Sequence, residues 1–149
     1  MMSAACFSRI PISHMSVFRL FYVSSVAVPN GGDAVPAILA VSRRNNWRLD
    51  VTGCLLFSGS YFGQVLEGAK PVVEALAARI AADPRHGRVR VLSETSSTTR
   101  HYNDWAMGYI HDLSLEDELA SLLDDERPDP ARLVTALARM QPDTVMGPL

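Results

Sequence analysis

Apolar and polar positions along this chain fall into blocks of two different periods. Residues 18–25 (FRLFYVSS) are aromatic and β-branched, and Pro29-Asn30-Gly31-Gly32 follows them, which predicts a strand and then a turn. Val35, Ile38, Leu39 and Ser42 recur at helical spacing, with Asp33 placed to cap that helix and Pro36 in its first turn. This helix is predicted to fade at Asn45-Asn46. Residues 50–58 (DVTGCLLFS) and 61–67 (YFGQVLE) flank Gly59-Ser60, a hairpin signal. Residues 70–82 carry Val73, Leu76, Ala77 and Ile80 on one stripe and stop before Pro84. Residues 88–94 and 105–110 (WAMGYI) read as two more strands, joined by a polar crossover with room for one helical turn.

The predicted order is β-α-β-β-α-β plus a final strand. That is an α+β, ferredoxin-like split βαβ with a fifth strand. Right-handed crossovers put both helices on one face of the sheet. Beyond Asp112 the pattern changes. Ser114 is placed to cap a helix bearing Leu115, Leu119, Leu122 and Leu123, and Asp129-Pro130 opens a second with Leu133, Leu137 and Met140. Such short helices are unstable alone and are expected to cover the sheet face opposite the first two, or a partner. Three segments result: an extension over 1–15, a domain over 16–112 and a helical extension over 113–149.

Composition narrows the function classes. Of 149 residues 48% are apolar and 20% charged, which is globular rather than disordered. A net charge of −2 offers no basic surface, so nucleic-acid binding is not expected. No apolar run reaches the ~18 residues of a membrane span. Cys6 and Cys54 are the only cysteines, no structural disulfide is expected, and a cytoplasmic setting fits.

Candidate chemistry begins at Gln64. Strand alternation groups Phe62, Gln64 and Leu66 on one face, leaving Glu67 to mark the other as the wetter one. Gln64 would then point at the helices, either satisfied by nearby backbone or serving a ligand. Tyr22, on the face of Phe18, Leu20 and Ser24, is either a core tyrosine or a partner to Gln64. A phenol and an amide together could hold the edge of a polar heterocycle. Asn45-Asn46 reads as helix C-cap chemistry, with one asparagine left to face inward. Arg79, Arg85 and His86, in and after the second helix, form either a solvated turn or a clamp for a phosphate or ribityl group. No glycine-rich phosphate loop and no zinc spacing is present.

Taken together, FRLFYVSS, SRRNNWRLDVTGCLLFSGSYFGQVLEG, the ADPRH turn and WAMG resemble the BLUF domain, a blue-light sensor using flavin. The resemblance runs from about residue 18 to residue 110. It implies FAD as cofactor, with FMN or riboflavin also compatible. It implies that Tyr22 donates an electron and proton to the excited flavin and that Gln64 stands between that tyrosine and the flavin. It implies flavin contacts from Ser24, Asn45 and Asn46, and from Arg79, Asp83, Arg85 and His86 at the ribityl and phosphate end. Trp105 and Met107 match photocycle-modulating positions on the last strand. A short, stand-alone sensor of this kind is expected to be no enzyme, to signal to a separate effector protein and to self-associate as a dimer or larger oligomer. A flavin-dependent oxidoreductase and a light-inactive interaction module on the same fold remain the alternatives.

Overall fold

The computed structural model describes residues 16–28, 31–103 and 106–142. The 1–15 extension, Pro29-Asn30, Trp105 and the last residues of the tail lie outside them. Among the described residues are five strands: β1 (Val17–Val26), β2 (Thr52–Phe57), β3 (Tyr61–Gly68), β4 (His86–Ser97) and β5 (Gly108–His111). Four helices accompany them: α1 (Gly31–Leu49), α2 (Lys70–Ala81), α3 (Glu116–Asp124) and α4 (Pro130–Arg139). The sheet order is β4-β1-β3-β2-β5, antiparallel except for the parallel β2–β5 pair. This is the predicted ferredoxin-like arrangement with its added strand.

Strand parity sorts the side chains into two cores. Phe18, Leu20, Tyr22, Leu55, Phe62 and Leu66 pack against Val35, Ile38 and Leu39 of α1 and Val73 and Leu76 of α2. Phe21, Val23, Leu56 and Val65 face the other way and pack against Leu119, Leu122 and Leu123 of α3 and Ala136 of α4. The C-terminal helices therefore cover the face opposite the first pair. α3 is fastened at both ends. Glu116 Oε1 accepts from Ser58 Oγ at 2.5 Å and from Ser60 N at 2.9 Å, and Arg90 donates to the carbonyls of Leu122 at 3.1 Å and Asp125 at 2.6 Å.

Several local expectations are corrected. α1 begins two residues before Asp33, so Asp33 sits in its first turn and does not cap it, and Pro36 lies a turn further in. The helix does not fade at Asn45-Asn46 but runs on to Leu49. Its end is Asp50, in the left-handed region at φ 56°, a conformation that a short polar side chain tolerates. The cap after β5 is Asp112, which accepts from Ser114 N at 3.0 Å, and a 3₁₀ turn over Leu113–Leu115 precedes α3. β4 continues to Ser97, and the crossover over 98–103 forms bends without a helical turn. Gly59, at φ 117°, makes the predicted hairpin turn.

The largest correction is Glu67. Its face is not wet: the residue is 0% exposed. The carboxylate accepts from Arg19 Nε at 2.9 Å, Thr52 Oγ1 at 3.0 Å, His101 N at 2.7 Å and Tyr102 N at 2.9 Å. A charge buried among apolar neighbours is stable only with such partners. Glu67 spends its charge fastening the 98–103 crossover to β1 and β2.

Candidate functional site

The β1–β3 register puts Tyr22 directly opposite Gln64, and the β2–β3 register puts Leu55 on Gln64's other side. On the β4 side the pairing shifts by one residue between Phe21 and Tyr22, which pair with Ser93 and Val91 and leave Leu92 of β4 without a partner in the register. Cross-strand neighbours on one face have Cβ atoms about 5 Å apart, within reach of a phenol and an amide. The Tyr22 hydroxyl donates to Gln64 Oε1. The other end of the amide, Nε2, donates to Met107 Sδ at 3.3 Å. Tyr22, Gln64 and Met107 are 1%, 3% and 0% exposed. Thioether sulfur is a weak acceptor, so the amide is held firmly at its oxygen and loosely at its nitrogen.

Met107 is placed by α1. Asn46 Nδ2 donates to the Ala106 carbonyl at 2.8 Å, and Arg43 Nε donates to the Met107 carbonyl at 3.0 Å. The inward-facing asparagine of the pair is thus Asn46, which is buried. Asn45 Oδ1 accepts from exposed Arg48 at 2.8 Å.

Between α1, α2 and the sheet lies a cavity of about 230 Å³. Ile38 and Val41 of α1, Leu76 and Ile80 of α2, and Leu55 and Leu66 of the sheet form its apolar walls. Tyr22, Asn45, Asn46, Gln64, Arg79, Asp83, Arg85 and His86, all singled out in the sequence, border it as well. Ser24 stands behind them, with its Oγ 2.7 Å from His86 Nδ1. Val41, Ser42 and Arg43 were missed. Arg43 shares a helical face with Asn46, three residues on, but its partner is sixty-four residues away.

The turn after α2 is closed by hydrogen bonds between Asp83 and Arg85. Asp83 Oδ2 takes Arg85 Nη2 at 2.6 Å, and Arg85 N donates to Asp83 Oδ1 at 2.9 Å. That hydrogen bonding holds the Asp83 carboxyl down at about 2 and raises the Arg85 guanidinium. Arg85 is therefore aimed by Asp83. Burial lowers His86, against the pull of Asp83, and its ring packs 5.1 Å from that of Phe62. Burial also drives the Tyr22 phenol far above its ordinary range, with the Asp83 charge adding to the effect. Both effects favour the neutral phenol, the form that donates to Gln64.

A family model described as BLUF, sensors of blue-light using FAD, matches residues 17–108, which span the whole sheet up to the start of β5 and both helices of the cavity. The chain belongs to the BLUF family. BLUF relatives include the photoactivated adenylate cyclase subunit beta of Euglena longa, 38% identical over 97 residues that make up 62% of this chain and 11% of that protein. The blue light- and temperature-regulated antirepressor BluF of Escherichia coli (strain K12) is 32% identical over 66% of this chain and 24% of its own length. The chain thus spans about a tenth of the cyclase subunit. Among solved structures, the dark state of the BLUF protein BlrB superposes with a TM-score of 0.67 at 31% identity, covering 83% of this chain and 96% of that one. BLUF domains bind flavin. Among the described residues no helix is long and apolar enough to cross a membrane.

Proposed function

We propose that this chain is a flavin-based blue-light photoreceptor that uses FAD and passes its signal to a separate effector protein. The observation that carries the proposal is the buried line from the Tyr22 phenol through the Gln64 amide to the Met107 thioether, whose first two members stand in the wall of the cavity between α1, α2 and the sheet. The donor set suits a flavin. Ile38, Val41, Leu76 and Ile80 would sandwich a flat ring, Gln64 and Asn46 would serve its polar edge, and Arg79 and Arg85 would meet the phosphate end, with Asn45, Ser24 and His86 supporting them.

When bound, the flavin supplies blue-light absorption and an excited state that accepts an electron. Tyr22 would supply that electron, and its phenol proton would follow through the Gln64 amide, which takes it at Oε1 and releases one from Nε2, so that the amide is left uncharged. Once electron and proton had returned to Tyr22, Gln64 would be left turned, with its donor and acceptor ends exchanged. An amide is suited to this switch because its two ends differ in hydrogen bonding yet carry no net charge. In a site closed to water the exchange is not averaged away by solvent. Met107 feels the turn first, and β5 leads from it to α3 and α4, which would present the change to the effector.

The purified chain, reconstituted with FAD, is expected to be yellow and to show a small, reversible red shift under blue light. Failure to bind flavin, or NAD(P)H turnover without a light-induced shift, would overturn the proposal.

A further inference from the structure

Arg43 does not border the flavin cavity, yet it holds the residue to which Gln64 donates. Its Nε bonds the Met107 carbonyl at 3.0 Å, while Asn46, three residues on, bonds the preceding carbonyl of Ala106 at 2.8 Å. α1 thus grips two consecutive carbonyls immediately before β5. Arg43 also borders a separate groove of about 400 Å³ between α1 and β5, beside Val35, Leu39 and Tyr109. It links that groove to the backbone of Met107, whose side chain is fully buried.

We propose that Arg43 is a positioning residue of the photocycle: by holding the Met107 carbonyl it keeps the thioether against Gln64 and sets how fast the light-altered arrangement relaxes in the dark. The inference rests on the light-sensing reading above. A glutamine that turns brings its carbonyl oxygen to where its amide nitrogen stood. Met107 sulfur cannot donate to that oxygen, so it must give way whenever Gln64 turns. How readily it does so depends on the freedom of its backbone. A guanidinium-to-carbonyl bond is charge-assisted and stronger than a neutral one, so its loss lowers the barrier to the return.

The test is dark recovery of the FAD-reconstituted chain after a blue flash. Arg43→Met keeps the aliphatic stem and removes the donor. It is expected to leave the size of the red shift unchanged and to speed recovery about tenfold, the scale of one charge-assisted hydrogen bond. Arg43→Lys, which keeps a cationic donor, is expected to fall between that variant and the wild type. In a Met107→Ala background, Arg43→Met is expected to change recovery less than about twofold, because the arginine then has no thioether to position. Recovery that is unchanged or slower in Arg43→Met overturns the inference, as does an equal acceleration with and without Met107. If Arg43→Met does not fold, Arg43→Lys decides by the same rule: faster recovery supports the inference and unchanged recovery overturns it. A wild-type chain with no light response sinks the light-sensing reading itself, and this inference with it.

Discussion

Gln64→Leu is expected to keep the fold and the flavin and to lose the red shift entirely. Leucine is close in size and apolar, so the packing beside Leu55 and Leu66 survives. What disappears is the amide that stands between the Tyr22 hydroxyl and the Met107 thioether, with its exchangeable donor and acceptor ends. The Tyr22 hydroxyl loses its acceptor while buried, which costs about 1–3 kcal/mol, a tolerable fraction of an ordinary domain's stability. Tyr22 can still quench the excited flavin in this variant, but nothing is left turned when the charge returns. Tyr22→Phe reaches the same silence from the other side: the fold is retained and the electron and proton source is gone. The light-minus-dark absorption spectra of both variants check this. A red shift of wild-type size in Gln64→Leu would show that the switch lies elsewhere.

The largest stability effect is expected on the opposite face of the sheet. Glu67→Ala removes the acceptor for Arg19, Thr52 and the backbone N–H groups of His101 and Tyr102. Arg19, mostly buried, is then left without its counter-charge. Breaking a buried ion pair in this way costs about 3–5 kcal/mol, a large share of the total for a domain of this size. Urea denaturation is expected to show a lower midpoint with little change in slope. Glu67→Gln keeps one acceptor oxygen and is expected to lose less. A loss of under about 1 kcal/mol in Glu67→Ala would mean that the crossover is held by other contacts.

These two residues mark the limits of what the chain's sequence discloses. The parity that puts Tyr22 and Gln64 on one face is legible because a strand has period two and because Phe18, Leu20, Phe62 and Leu66 share that face. Glu67 was misread for the same reason in reverse. Alternation assigns it correctly to the other face, but whether its carboxylate meets water depends on the crossover, whose His101 and Tyr102 bind it from thirty-four and thirty-five residues away. The leucine stripes of α3 and α4 predict helices, not where they dock. Asn46 shows a second limit. An asparagine pair is a local helix-end signal, and here a distant carbonyl, Ala106, claims one side chain instead while Asp50 ends the helix. Arg43 is the extreme case. A polar residue within a helix reads as solvated unless its partner is known, and that partner stands sixty-four residues away. Local rules thus disclosed the strands, the parity and most of the cavity lining. They did not reach the contacts that fix Met107 and the crossover.

The rearrangement of Gln64 can be observed directly. Gln64 and Gln141 are the only glutamines in the chain, so selective ¹⁵N-glutamine labelling yields two side-chain amide pairs, and Gln64→Leu identifies which pair is which. In the flavin-loaded protein, blue light is expected to move the Gln64 Nε2 signals, and darkness to return them at the rate at which the red shift decays. A red shift that forms and decays while those signals stay in place would contradict the proposed switch.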